Sequence, residues 1–373
     1  MINFDYASHT VASEHVLAEF CRAERECVGN AFAAHGLGAA ARAELAHAKE
    51  GIAGLLGVAS SEIIFTSGAS EANNLAIKGI ARAYAHAGRH ILSTCLEHPS
   101  ASGALAFLTE NGYEVELLKI LPNGKIDIAH LQAMLRNDTI LLCVSAVDSE
   151  LGAVQDLVAL TQALQGYEHC HLHIDAAQAI GKIPVALPAE FSTMCFSPHK
   201  FYGLGGFGVL VKREGVVLEP LLHGGAAAHN ALYRAGTPSP SHAAACFLAL
   251  QTAMREQEKW LQSIASSREY VIEGLQRAVP TMRINSPADS SLYILNLSVA
   301  GIRGVEMQAT LNAKGIAVSV KSACSADAAP SRPVFAVTGN KKNALESWRV
   351  SFSHHTTREE LDALILAIQE AKV

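Results

Sequence analysis

The sequence predicts an α/β protein with a mostly parallel sheet covered by helices on both faces, followed by a smaller second domain. Two observations predict it. Short apolar runs alternate with longer stretches of helical periodicity from about residue 38 to about residue 211, and strands that alternate with helices over such a length pair in parallel through crossover helices. From about residue 241 the pattern gives way to one long helix and then to shorter strands.

Taken in order, an Ala-rich tract predicts a helix over 38–56, then a strand at 62–65 and a helix over 70–87. A strand at 90–94, a helix over 100–111 and a strand at 114–119 follow, and after them a helix over 128–135, a strand at 139–144 and a helix over 157–165. Strands at 191–196 and 209–211 complete the first part. An amphipathic helix over 241–278 and a final helix over 357–371 frame the second. Neither an internal repeat nor a Pro/Gly-rich linker interrupts the chain. In sheets of this kind ligands sit beyond the carboxyl ends of the strands.

Composition narrows the class. Of the 373 residues half are hydrophobic and 17% charged, enough to bury a sizeable core. No apolar run approaches the roughly 20 residues of a membrane span, and MINFDYASHT at the N-terminus is unlike a signal peptide, so the expected location is the cytoplasm and no membrane partner is expected. A net charge of -6 without a basic block argues against nucleic acid. The eight cysteines show no repeated CxxC spacing and read as reduced thiols. Cys143 and Cys195 lie in apolar strands as packing residues; Cys324 lies among small and polar residues instead.

Four stretches carry the chemistry. SPHKFYGLGGFG (197–208) puts Lys200 on a tight loop between two strands, where an amine can be aimed and its charged form disfavoured, as a Schiff-base lysine requires; a lysine that caps a turn is the plain alternative. IIFTSGASEANNLAIKG (63–79) is strand, small-residue turn and helix, so that Gly68, Ala69 and Ser70 offer backbone N–H groups to phosphate oxygens, or form an ordinary helix start capped by Ser67 or Ser70. HIDAAQAIG ends a strand on Asp175, with Gln178 one turn later. A buried carboxylate needs a cationic partner, which a protonated ring nitrogen of a cofactor would supply. His169, Cys170, His171 and His173 resemble a metal cluster, but along a strand Cys170 points away from His171 and His173, and no metal is expected. TCLEHPSASGAL places His98 between a strand and a helix, able to lie flat on an aromatic ring or to serve structure alone.

Together these stretches resemble the fold-type-I pyridoxal-phosphate enzymes of aminotransferase class V, and within them the cysteine desulfurases of the NifS and IscS kind. The resemblance runs from FDYASHT through GLGAAARAELAHAKEGIAGLLG, FTSGASEANNLAIKG, LEHPS, HIDAAQ, SPHKFYG, RAGTPS and KSACS to SWRVSFSHHTTREELDAL. It implies a large domain, 15–250, with a mostly parallel seven-stranded sheet, and a small α+β domain formed by 1–14 and 251–373 that carries the cysteine loop. By the same resemblance Lys200 carries pyridoxal 5'-phosphate covalently, Asp175 pairs with its ring nitrogen, His98 stacks on the ring and Gln178 meets the ring hydroxyl. Ala69, Ser70, Ser197 and His199 would hold the phosphate, Thr237 would reach it from a second subunit, and Arg349 would clamp a substrate carboxylate. Cys324 would take sulfur from L-cysteine as a persulfide and present it to an acceptor protein.

Two segments depart from the family. DSE (148–150) stands where Asn-Asn-Glu is usual, so Ser149 occupies the place of an asparagine beside cofactor and substrate, and GGAAAHN (224–230) replaces GGGxE. Rival readings are another class V enzyme (selenocysteine lyase, cysteine lyase or aminotransferase) and a cofactor-binding scaffold subunit. Gly203, Gly205 and Gly208 satisfy GxGxxG but lead into the strand VLV, which fails the dinucleotide fingerprint. A kinase reading fails for want of HRD and DFG.

Overall fold

The computed structural model describes residues 1–184, 187–224, 233–321 and 329–371. The first core is an α/β layer. Its elements are α1 (Glu14–Glu26), α2 (Gly36–Leu56), β2 (Ile63–Thr66), α3 (Ala69–Ala83), β3 (His90–Ser93), α4 (Pro99–Glu110), β4 (Glu114–Leu117), α5 (Ile128–Met134), β5 (Thr139–Ser145), α6 (Leu157–Ala163), β6 (His171–Asp175), β7 (Thr193–Phe196) and β8 (Gly208–Lys212), with β1 (Ile2–Asn3) at the N-terminus. Strands β2-β8-β7-β6-β5-β3-β4 form one seven-stranded sheet. From β7 to β4 every pairing is parallel, and only β8 runs against its two neighbours. The central strands are apolar because both their faces are covered: every residue of TILLCVS in β5 is buried.

The long helix α7 (Pro240–Ala278) joins this layer to a second core. Its first half, from Ala243 to Trp260, packs with the α/β layer, and Ile264, Val271 and Leu275 in its second half pack with the other core. That core is built on β9 (Met282–Ile284), β10 (Ile294–Val299) and β12 (Ser347–Ser351), an antiparallel sheet in the order β12-β10-β9, with α8 (Gly304–Ala313), β11 (Ile316–Ala317), α9 (Arg332–Thr338), α10 (Lys341–Glu346) and α11 (Arg358–Glu370) around it. β1 pairs with β11, and Phe4 and Ala7 belong to this second core. The N-terminal residues therefore lie between the two cores. Among the described residues no helix is long and apolar enough to cross a membrane.

Several element ends differ from the sequence expectation. α3 stops at Ala83 and α6 at Ala163, short of residues 87 and 165. Helices α1, α8, α9 and α10 were not anticipated; α1 is strongly charged and the other three are short.

Candidate active site

The ends of β3, β5, β6 and β7 open into a cleft of about 340 Å³ lined by Lys200, Asp175, His98, Gln178, Ser149 and Arg349, with Ala69, Ser70 and His199 at its margins. Lys200 ends a single helical turn, Pro198–Lys200, between β7 and β8. Its Nζ donates to the carbonyls of Ala7 (2.9 Å) and Ser8 (2.7 Å), almost two hundred residues away in sequence. The N-terminal segment is stitched alongside: Thr10 Oγ1 donates to the His199 carbonyl (2.8 Å), and the His9 ring stacks on His199 at 5.1 Å. Burial pushes His199 down to about 3, with Lys200 acting in the same direction. His199 is thus a neutral ring at neutral pH.

Asp175 ends β6 and accepts from Asn73 Nδ2 (2.8 Å) and from the Ala177 N–H (3.0 Å). Asn73, on the inner face of α3 and wholly buried, is a hub. Its Nδ2 also donates to Ser100 Oγ (2.9 Å), so both amide hydrogens are committed and Oδ1 can only accept, from His173 Nε2 at 2.8 Å. His173 therefore carries its proton on Nε2 and accepts at Nδ1 from Thr193 Oγ1 (2.8 Å). Burial, which pushes His173 down to about 4, agrees with that neutral tautomer. His98 is the N-cap of α4, its Nδ1 bonded to Ser100 Oγ (2.8 Å) and accepting from the Ser100 N–H (3.2 Å). Burial lowers its pKa; the Asp175 charge opposes this, and Lys200 and Arg349 add to it.

At the other end of the cleft α3 begins with Gly68 as N-cap and no side-chain cap, so neither Ser67 nor Ser70 takes the capping role open to it. Gly208 of β8 comes so close that a Cβ there would lie 2.4 Å from the Gly68 carbonyl carbon. Ser197 is fully buried below the cleft wall, and its hydroxyl donates to the Phe207 carbonyl (2.5 Å). Thr237 lies in a neighbouring groove with Phe207 and Arg234, which shares Ser67 with the cleft.

Arg349 comes from β12 of the second core and is 1% exposed. Its Nη1 donates to the Ser149 carbonyl (2.7 Å), and its Nη2 to Asp5 Oδ1 (2.6 Å) and Ser8 Oγ (2.9 Å), while Nε has no partner. In the DSE segment Asp148 turns inward, its Oδ2 accepting from the backbone N–H groups of Glu150 (3.2 Å) and Leu151, and burial raises its pKa to about 7. Only Ser149 of the three lines the cleft. Cys324 and most of GGAAAHN lie outside the described residues.

The cleft also uses residues that the sequence did not single out. Asp5, Ala7 and Ser8 hold Arg349 and Lys200, Asn73 and Ser100 hold Asp175 and His98, and Glu97 accepts from Thr94 Oγ1 and Ser145 Oγ at 2.7 Å each. One signal was available for Asn73, a polar residue among Ala72, Ala76 and Ile80 on the buried side of α3.

The chain is similar to known proteins over nearly its whole length. Residues 2–364 match the model of the family described as Aminotransferase class-V. Cysteine desulfurase IscS of Dictyoglomus turgidum is 32% identical over 364 residues, which cover 97% of this chain and 92% of the relative. A solved structure described as a NifS-like protein superposes with a TM-score of 0.92 at 30% identity, covering 99% of this chain and 98% of the other. One described as SspA in complex with cysteine gives 0.83 at 27% identity, covering 96% and 100%. With its lysine, carboxylate and arginine in one cleft, the chain belongs to the aminotransferase class-V family, among the cysteine desulfurases of the NifS and IscS kind.

Proposed function

We propose that the protein is a cysteine desulfurase that takes sulfur from L-cysteine, releases L-alanine and passes the sulfur to an acceptor protein in the cytoplasm. The observation that carries this is the cleft itself: Lys200, Asp175, His98 and Arg349 meet in front of the α3 N-terminus. These residues fit pyridoxal 5'-phosphate. The first turn of α3 has N–H groups without a side-chain cap, which suits a phosphate. Asp175 and Lys200 both line the cleft. The group, when bound, supplies an electron sink for charge that develops on the substrate carbon.

The chain's own residues divide the remaining work. Lys200 would hold the cofactor through Nζ, and the same amine is placed to accept the α-proton of the substrate. Asp175, held by Asn73, would pair with the ring nitrogen and keep it protonated, and neutral His98 would cover the ring face. Gln178 would meet the ring hydroxyl. Ala69, Ser70 and His199 would hold the phosphate, with Thr237 from a second copy in a homodimer, while Ser197, wholly buried with its hydroxyl on the Phe207 carbonyl, would act through His199 Nδ1, which it meets at 2.9 Å. Arg349 binds the substrate carboxylate, which displaces Asp5 from the guanidinium, beside Ser149. Cys324 then attacks the substrate sulfur: an S–S bond forms, the C–S bond breaks, and the electron pair stays with the carbon that becomes the methyl group of alanine. We assign cofactor binding to 15–250 and the cysteine loop to the unit of 1–14 and 251–373, with support from the two separate cores.

The test is alanine and sulfide release from L-cysteine. Purified protein should be yellow, Lys200→Ala should lose borohydride-fixable cofactor and all turnover, and Cys324→Ser should keep the cofactor yet lose alanine and protein-bound persulfide together. Wild-type turnover by Cys324→Ser would leave a lyase, which needs no protein thiol.

A further inference from the structure

A second lysine lies beneath the cleft, and no step above uses it. Lys182 is 2% exposed, and its Nζ donates to Gln178 Oε1 at 2.7 Å and stands 5.4 Å from the centre of the Tyr293 ring. Burial pushes its amine well below the ordinary range, and the charges of Lys200 and Arg349 push the same way. An amine in such a place costs stability.

What it supplies is direction. A carboxamide has an accepting end and a donating end, and a lysine that donates to one end fixes the other. With Oε1 turned to Lys182, Gln178 presents Nε2 to the Ala7 carbonyl at 2.8 Å. That carbonyl also accepts the Lys200 amine, at 2.9 Å. One Nε2 hydrogen serves Ala7, which leaves the other for the cleft that Gln178 helps to line. The backbone brings the lysine there: Gly181 adopts φ +73, and the Lys182 N–H closes a turn on the Ala179 carbonyl (3.1 Å).

We infer that Lys182 is a positioning residue: its amine locks the Gln178 carboxamide so that an N–H rather than a carbonyl faces the cleft, and so holds the Ala7 carbonyl on which Lys200 docks. The inference rests on the cofactor reading for one arm of its test only.

That arm is a double-mutant cycle on pyridoxal phosphate affinity of the cofactor-free protein, with Lys182→Met, Gln178→Ala and both together. Lys182→Met should remain folded under the assay conditions, because an apolar chain of similar length replaces a buried amine and only Gln178 Oε1 loses its donor. It should bind the cofactor about fivefold more weakly, the worth of one hydrogen bond between neutral groups. In the Gln178→Ala background it should add nothing. Unchanged affinity in the single variant, or losses that multiply in the double, would overturn the inference, as would an early-unfolding Lys182→Met whose defect persists without Gln178. The second arm needs no cofactor. In a crystal structure of the cofactor-free Lys182→Met protein Gln178 should have left the Ala7 carbonyl; a carboxamide still bonded there overturns the assignment. A wild-type protein that takes up no pyridoxal phosphate would defeat the cofactor reading, and the crystal comparison would still decide the role of Lys182.

Discussion

Asn73 shows how much of the cleft depends on a side chain that cannot touch a ligand. It is fully buried, donates to Asp175 and Ser100, and accepts from His173. Through Ser100 it is one step from His98, so the carboxylate and the ring that the cofactor would meet are held from one point. Asn73→Ala would strand Asp175 Oδ2 and His173 Nε2 in a dry interior, at about 2–4 kcal/mol for two buried groups losing their partner. Urea unfolding of the cofactor-free protein measures this. Asn73→Asp should be worse, since it sets a second carboxyl against Asp175 without the two N–H donors; stability equal to Asn73→Ala would contradict the hub.

The turn after β6 performs the matching task at the scale of an element. It passes under Phe201, the neighbour of Lys200, and does so at Gly181, where a Cβ would lie 2.7 Å from the Phe201 ring and φ is +73. Gly181→Ala therefore combines left-handed backbone strain with overpacking, about 2–4 kcal/mol in all, and displaces the Lys200 loop. We expect a lower unfolding midpoint together with weaker cofactor retention, and partial recovery of both in Gly181→Ala with Phe201→Leu; a midpoint within a degree of wild type would contradict the close packing. Elements of this kind set the limit of what the sequence discloses. The central strands and their crossover helices were legible because their apolar periodicity is set by burial. That Lys200, Asp175 and His98 line one cleft was legible because each sits at or after the carboxyl end of a strand of the parallel sheet. The N-terminal wall was not, since it works through the carbonyls of Ala7 and Ser8, which any residue would supply. Nor was the Asp5 contact with Arg349, which pairs residues 344 apart.

At the scale of the whole molecule, burial of titratable groups makes stability depend on pH. His171, His173 and His354 are pushed down to about 4 and His199 to about 3, from 6.5, mainly by burial. Between pH 6.5 and 4 the unfolded chain binds protons at these rings that the folded chain refuses, so each lowers stability as pH falls. Glu97 and Asp148 act the other way, both raised to about 7, because there the folded state holds the proton. Four histidines outweigh two carboxyls, and urea midpoints should fall from pH 6.5 to pH 4; a flat profile would contradict the burial of the rings. Assembly is the other property at this scale. The groove beside the cleft, about 600 Å³ and lined by Phe32, Phe65, Phe207 and Thr237, shares Ser67 with it. Phe32 and Thr237 are exposed there in a single chain. A second copy seated in the groove would cover the exposed Phe32 ring and bring its own Thr237 to the phosphate end. Phe32→Glu, a charge placed in that contact, should shift the protein from dimer to monomer in sedimentation and weaken cofactor retention in step. A wild-type monomer that retains the cofactor fully would show that one chain completes the site alone.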